Sequence, residues 1–131
     1  MPTYYEDANT TVNHLVDTDY LLVRRWGFVE GESFRRPCEE IVKILGQLES
    51  KKIVFDVADM RVVTQNDQKW ANEVWLPELF KNGLKYFAYV VPGNVLGKMS
   101  AQAVSSRLIE DRLEMHYFST LLEAVEWLAN K

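Results

Sequence analysis

Two aspartates in the middle of the chain are the first candidates for chemistry. Asp56 and Asp59 follow an apolar run at residues 53–55, and a pair of carboxylates can act as general acid and general base. Strand alternation, however, places Asp56 and Asp59 on opposite faces of the strand that this run predicts. A solvated strand end with an Asp59–Arg61 ion pair is therefore the favoured interpretation, because surface ion pairs are common.

A glycine-containing segment, GNVLGKMS at residues 93–100, has some features of a phosphate-binding loop. That motif requires four residues between its glycines and a Ser or Thr directly after the Lys to hold Mg²⁺. Here three residues separate the glycines and a methionine follows Lys98, so the spacing argues against nucleotide hydrolysis. Backbone N–H groups at a helix start, together with Lys98 and Ser100, could still form an anion site for a carboxylate or phosphate.

The remaining reactive side chains give no metal or nucleophile pattern. His14 and His116 lie alone in predicted strands, without the neighbouring ligands of a zinc site. Cys38 lies on the inward stripe of a predicted helix, where a buried, inert thiol is expected. We therefore predict no metal and no cofactor. An unrecognised enzymatic activity stays open as an interpretation. Because the sequence shows no convergent titratable groups, we lean towards no enzymatic activity.

Charge and composition restrict the class of protein. The formal net charge of −4 and the lack of a clustered Lys/Arg face argue against nucleic-acid binding. No apolar run approaches the length of about 18 residues that a membrane span needs, and the N-terminus lacks the regions of a secretory signal. A single cysteine suits a reducing compartment. We expect one soluble, cytoplasmic domain covering residues 1–131.

The hydrophobic pattern predicts strands and helices in the order β-β-α-β-α-β-α-β-α. The strands are expected at residues 11–16, 20–26, 51–60, 86–91 and 114–118, and the helices at 34–48, 65–82, 100–110 and 119–128. Crossovers between parallel strands are right-handed. The order therefore predicts an α/β fold with a single mixed, mostly parallel sheet of about five strands. It begins with an N-terminal hairpin, βα repeats follow, and the helices lie mainly on one face.

The helix at residues 65–82 carries more apolar surface than one sheet face can cover. Thr64 is expected to cap it, and Gly83 is expected to end it as its C-terminal cap. Pro77 is expected to kink it, because proline cannot donate a hydrogen bond to Glu73. Trp70, Trp75 and Phe80 point almost all the way round the helix, and Trp26 is predicted nearby. An exposed apolar patch formed by part of this set would mark a partner surface or the mouth of an apolar pocket; burial of all four aromatics in the core is the alternative.

Several segments resemble one group of small, uncharacterised bacterial proteins that are similar to the STAS domain, the fold of the anti-sigma-factor antagonists. The resemblance lies in residues 70–75, GLK at 83–85, YVVP at 89–92, GKMS at 97–100 and YFSTLLEAVEWL at 117–128. It covers nearly the whole chain, from about residue 11 to residue 128. It implies a sheet flanked by helices that serves protein–protein switching, and in distant relatives the binding of small or lipidic ligands.

The resemblance also implies a candidate phosphosite. The antagonists carry a phosphorylated Ser or Thr at the helix start after the central strand, next to an aspartate at the strand end. Asp56 matches this aspartate, but the Asp-Ser-Ser-Gly motif of the antagonists is absent here. Thr64 is the only hydroxyl residue between Ile53 and Trp70, and a plain helix cap is its competing interpretation.

These observations predict a non-enzymatic, STAS-like interaction or regulatory module that binds a protein partner and forms a homodimer. The alternative is a small-ligand or lipid-binding protein with an apolar pocket beside the kinked helix between Trp70 and Phe80. The predicted interaction surface consists of Asp56, Asp59, Arg61, Thr64, Trp70, Trp75 and Phe80.

Overall fold

One mixed sheet forms the centre of the protein. The computed structural model describes residues 2–98, 107–109 and 113–131, with the backbone alone at residues 98 and 107–109. The described strands are β1 (Thr3–Asp7), β2 (Thr10–Leu15), β3 (Tyr20–Gly27), β4 (Lys52–Met60), β5 (Tyr86–Val90), β6 (Arg107–Ile109) and β7 (Leu113–Phe118). They form a seven-stranded sheet in the order β1-β2-β3-β4-β5-β7-β6.

The centre of the sheet is parallel and its two ends are antiparallel. β3, β4, β5 and β7 run parallel to one another, whereas β1–β2–β3 and β6–β7 are antiparallel. The predicted mixed α/β sheet with an N-terminal hairpin is confirmed. The described strands outnumber the predicted five because β1 and β6 lie at the two edges of the sheet, where short segments lack a clear apolar alternation.

The helices match the predicted order except between β5 and β7, where the helix Gly93–Lys98 was not predicted. They are α1 (Glu32–Leu48), α2 (Gln65–Trp70), a π-helical turn (Ala71–Trp75), α3 (Leu76–Lys81), α4 (Gly93–Lys98) and α5 (Leu121–Ala129). The predicted helix at 100–110 is wrong at residues 107–109, which form β6, and its residues 100–106 and 110 lie outside the described part. Within the described residues, no helix is long and apolar enough to cross a membrane.

The helices cover the two faces of the sheet unequally. α1, the π-helical turn and α3 pack on one face, here called the helical face, and α5 packs on the second face. The sheet residues buried on the helical face include Leu21, Val23, Ile53, Phe55 and Phe87, and those on the second face include Leu22, Val54, Ala88 and Val90. The prediction that the helices lie mainly on one face is confirmed.

Part of the second face has no helix of the described residues over it. α5 packs against β4, β5 and β7, while Arg24 and Trp26 near the carboxyl end of β3 are exposed. The name open face is used below for the surface formed by Arg24, Trp26, Asp56 and Asp59. This surface and the helical face lie on opposite sides of the end of β4.

A bulge in β4 changes which side chains meet on the open face. Arg24 is paired with Asp56 and Trp26 with Asp59, so the single residue Arg25 lies opposite two residues of β4. A two-against-one bulge reverses the alternation of every side chain beyond it. The prediction that Asp56 and Asp59 point to opposite faces is therefore wrong: both lie on the open face.

The predicted kink near Pro77 takes the form of the π-helical turn. Proline has no N–H to donate to the carbonyl of Glu73, and just before it the N–H of Leu76 bonds to the carbonyl of Ala71, five residues back. The wider turn ends at the buried Trp75, whose Nε1–H donates to the carbonyl of Cys38 at 2.8 Å. Trp75 is therefore a core residue and not part of an exposed patch, which corrects the sequence-based prediction.

The same helical unit ends where glycine was expected to end it. Gly83 has φ +101°, a conformation that favours glycine. Its N–H bonds to the carbonyl of Phe80, and the N–H of Leu84 bonds to the carbonyl of Leu79. These two bonds are those of a Schellman motif, which satisfies the last carbonyls of a helix.

Asp67 joins the starts of α1 and α2. Its carboxylate is almost fully buried and accepts hydrogen bonds from the Gly31 N–H at 2.9 Å, the Arg35 Nε–H at 3.1 Å and the Thr64 hydroxyl at 3.0 Å. Burial by itself raises the pKa of Asp67, but these donors and the Arg35 charge outweigh burial and hold the pKa below its ordinary value. The carboxylate is therefore ionised in the folded protein at neutral pH.

We expect Asp67→Ala to lower the free energy of unfolding by about 3 kcal/mol at neutral pH, because it leaves buried donors unpaired. The loss should shrink below about pH 4. A carboxyl whose pKa is lowered by folding stabilises the protein above its unfolded pKa, and this contribution disappears as the pH falls through the folded pKa. Urea unfolding at neutral pH and below about pH 4 measures this loss in the free energy of unfolding. Asp17→Ala, at an exposed position, is the control. Equal losses of unfolding free energy in the two variants would contradict the role of Asp67 in joining the starts of α1 and α2.

We expect Trp75→Ala to lower the free energy of unfolding by about 3–5 kcal/mol, because it removes a buried aromatic side chain and leaves a cavity. The neighbouring Val74 is 46% exposed, and Val74→Ala should change the same quantity by less than about 0.5 kcal/mol. Chemical unfolding of both variants measures the difference. A Trp75→Ala loss as small as that of Val74→Ala would contradict the core position of Trp75.

Candidate functional site

An apolar recess lies at the carboxyl ends of the parallel strands, between the helical face and α2. Its volume is about 520 Å³, within the range of small-molecule sites. It is called the carboxyl-edge recess below. In open α/β sheets, ligands bind outside the carboxyl ends of the strands. The residues that line it are Phe34, Phe55, Val57, Met60, Arg61, Val62, Val63, Gln68, Ala71, Asn72, Tyr89, Val91, Pro92, Val95 and Tyr117.

The π-helical turn forms one wall of the recess. Ala71 and Asn72, its first two residues, and Gln68 of α2 all line it. Gln68 is held in place because its Nε2–H donates to the carbonyl of Val63 at 2.7 Å. π-helical turns occur frequently at functional sites, and the small Ala71 side chain leaves room between the helix and the sheet.

Two tyrosines form the opposite wall of the recess. Tyr89 and Tyr117 are paired neighbours on β5 and β7, and their rings stack at a centroid distance of 5.2 Å. Burial raises the pKa of Tyr89 well above its ordinary value. The Tyr89 hydroxyl is therefore neutral at physiological pH. This wall can provide aromatic contact but no charge.

The mouth of the recess combines a cation with exposed apolar side chains. Arg61 is exposed and its backbone N–H bonds to the carbonyl of Gly27 at 2.9 Å. Among the described residues, its guanidinium forms no ion pair, so the predicted Asp59–Arg61 pair is not found there. Val62 is 82% exposed and Val95 is 42% exposed. The recess can therefore accept an apolar group and hold a negative charge at its edge.

The open face carries a second, polar recess of about 330 Å³. It is lined by Thr11, Arg24, Arg25, Trp26, Asp56 and Asp59. Arg24 Nε lies 3.4 Å from Asp56 Oδ2, and Asp56 Oδ1 accepts from the Ala58 N–H at 3.1 Å. Asp59 is exposed and, among the described residues, has neither an ion-pair nor a side-chain hydrogen-bond partner.

The helix residues of the predicted surface do not form one exposed patch. Thr64 caps α2, since its hydroxyl accepts from the Asp67 N–H at 3.2 Å and donates to the Asp67 carboxylate. Trp70 is half-buried, packs edge-on against Phe34 at 6.3 Å and lies 5.3 Å from the Arg35 guanidinium. Phe80 is also half-buried against the core. The geometry supports the cap interpretation of Thr64.

The other candidate residues contribute little to either recess. Burial raises the pKa of Cys38 to about 12, so its thiol is protonated and inert as predicted. Lys98 ends α4; its side chain and Ser100 lie outside the described part, and the anion site predicted there stays a prediction. Within the described residues, no group of three or more His, Cys, Asp or Glu side chains could hold a metal ion.

The residues that build the recess walls were not predicted as site residues from the sequence. Tyr89 and Tyr117 were assigned to strands, and Ala71 and Asn72 to a helix, but none was named as a site residue. A signal existed for the tyrosines, because both stand near the carboxyl ends of strands predicted to be parallel. No comparable signal existed for Ala71 and Asn72, because their position depends on the π-helical turn.

Comparison with known proteins identifies the fold. No protein-family model matches the chain, and no curated protein matches it. The chain is similar to the crystal structure of an uncharacterised protein of the DUF3478 family with a SpoIIAA-like fold, from Shewanella loihica PV-4. The TM-score is 0.55 at 13% sequence identity, over 95% of this chain and 98% of that chain. At this identity the likeness shows the fold alone: the chain has a SpoIIAA-like fold, which is STAS-like, as the sequence resemblance implied.

Proposed function

We propose that the protein is a non-enzymatic, STAS-like regulatory module that binds at the carboxyl edge of its sheet, with a second copy of the chain as its partner. The observation that carries this proposal is the juxtaposition of a highly exposed Val62 with the carboxyl-edge recess. A cytoplasmic location, expected from the single cysteine, is part of the proposal.

Symmetry gives this arrangement its physical basis. In a two-fold dimer the same patch on both subunits forms the interface, so residue i of one copy contacts residue j of the other and the reverse contact is made as well. One edge here carries an apolar projection, Val62, and an apolar recess lined by Met60 and Ala71. Two copies related by a two-fold axis could each place Val62 in the recess of the other.

We expect Val62→Asp to weaken self-association about tenfold or more, because inserting an unpaired carboxylate into an apolar recess costs several times RT. Sedimentation velocity over a range of protein concentrations measures the monomer–dimer equilibrium. Val16 is also exposed, at 63%, and lies outside the recess, so Val16→Asp is a matched control that should not change association. A monomeric wild-type protein would contradict the homodimer.

A second candidate function is the binding of a small apolar ligand or lipid in the same recess. Two observations favour it: the volume of about 520 Å³ and the Arg61 guanidinium at the mouth. Together they suit a molecule with an apolar body and one negative charge, such as a fatty acid. Such a ligand would cover the surface that the dimer would use, so the two functions compete unless ligand binding itself controls association.

Filling the recess tests the ligand function. We expect wild-type protein to bind dansyl-undecanoic acid and Ala71→Phe to bind it at least about tenfold more weakly, because the phenyl ring occupies the ligand's volume. Val74 lies one turn away on the exposed side of the helix, so Val74→Phe is the matched control and should bind normally. Fluorescence titration measures the affinity. Equal binding by both variants would place the probe outside the recess.

A further inference from the structure

We propose that the open face holds a second binding site, independent of the carboxyl-edge recess, for an organic cation: a primary ammonium or a guanidinium group. The site consists of the exposed ring of Trp26, the free carboxylate of Asp59 and the Arg24–Asp56 ion pair beside them. It goes beyond the proposed function, because it lies on the other side of the sheet and takes a ligand of opposite charge.

The β4 bulge creates the site. It places Asp59 directly opposite Trp26 and Asp56 directly opposite Arg24, and directly opposite residues on neighbouring strands have their side chains in contact range on one face. These four residues line a polar recess of about 330 Å³. Without the bulge, Asp59 would point to the helical face and the recess would have no free carboxylate.

The charges decide which ligand the recess fits. Arg24 Nε and Asp56 Oδ2 lie 3.4 Å apart, so Arg24 neutralises Asp56, and among the described residues Asp59 has no ion-pair partner. Arg25 also lines the recess, but its guanidinium is directed to the helical face, where it donates to Cys38 Sγ at 3.4 Å and to the Ser33 carbonyl at 3.3 Å. Trp26 is 37% exposed. A cation over an indole face is attracted by the electrons of the ring, and a carboxylate next to that face adds a charge-assisted hydrogen bond. An anion would meet repulsion from Asp59 instead.

A neutral polyol is the main competing ligand for a recess with a tryptophan. A polyol could stack on Trp26, but its binding would not depend on the charge of Asp59. An asparagine at this position could still form hydrogen bonds to the polyol. A cation requires that charge. The substitution Asp59→Asn therefore separates the two classes, because it removes the charge and keeps the size of the side chain.

The cation could come from a free amine or from a lysine or arginine side chain of another protein. Both present the same group to Trp26 and Asp59. Butylammonium represents the free amine, and the blocked tripeptide acetyl-Ala-Lys-Ala-amide represents the protein side chain. Tighter binding of the tripeptide would assign the site to a protein side chain, and equal binding would assign it to a free amine.

The test is a titration of the whole chain followed by heteronuclear NMR, with the Trp26 indole N–H assigned by comparison with Trp26→Phe. We expect both amines to shift this signal saturably. The dissociation constant should lie in the millimolar range, because one exposed cation–π contact and one ion pair give only weak binding. Asp59→Asn should weaken binding about fivefold or more. Asp17→Asn, an exposed charge change elsewhere, should leave binding unchanged.

Three results would overturn the proposal: no shift at Trp26 with either amine, equal shifts with butyrate or butanol, or unchanged affinity in Asp59→Asn. If Asp59→Asn disturbs the fold, seen as changes throughout the spectrum, Trp26→Leu tests the same site from the other side. That variant should lose amine binding while Asp59 is intact. Because it lacks the Trp26 indole signal, binding is followed at the backbone N–H signal of Asp59 in both the wild-type protein and the variant. None of these outcomes affects the carboxyl-edge recess, which is tested by Ala71→Phe and Val62→Asp.

Discussion

The buried carboxylate of Asp67 is the interaction on which the rest of the site depends. It accepts hydrogen bonds from the N–H of Gly31 at the start of α1, from the guanidinium of Arg35 and from the hydroxyl of Thr64 at the start of α2. Two helices that leave different parts of the sheet are thereby fixed at their first turns. Because α2 and the following π-helical turn form one wall of the carboxyl-edge recess, the position of that wall depends on this charged contact.

Two local irregularities place the candidate binding residues around this framework. The π-helical turn before Pro77 brings Trp75 into the core and sets Ala71 and Asn72 against the recess. The bulge in β4 turns Asp59 to the side of Asp56 and Trp26. Extra residues in regular elements occur often at functional sites, and in this protein each irregularity borders one of the two recesses. The two recesses differ in chemistry: one is apolar with Arg61 at its mouth, and the other is polar with Asp59 uncompensated.

The two recesses flank the end of β4 on opposite faces. A strand end that contributes to both surfaces could connect them, because the backbone of residues 57–61 borders the carboxyl-edge recess on one side and the open face on the other. Such a connection would require two arrangements of this segment. The Gly27 carbonyl, which accepts from the Arg61 N–H, ties the segment to β3 in the structure described here.

The sequence by itself determined the order of the elements apart from β1, α4 and β6, together with the mixed α/β sheet, the N-terminal hairpin and the inward face of α1, because hydrophobic periodicity is a local property of the chain. It also indicated the Thr64 cap, the Gly83 helix end and the STAS-like fold. Only the tertiary structure decided which aromatic side chains are buried, that Asp56 and Asp59 share a face, and that Tyr89, Tyr117 and Ala71 enclose a recess. Those outcomes depend on one extra residue in a strand, one wide turn in a helix and contacts between distant segments. None of these changes the apolar pattern from which elements are predicted.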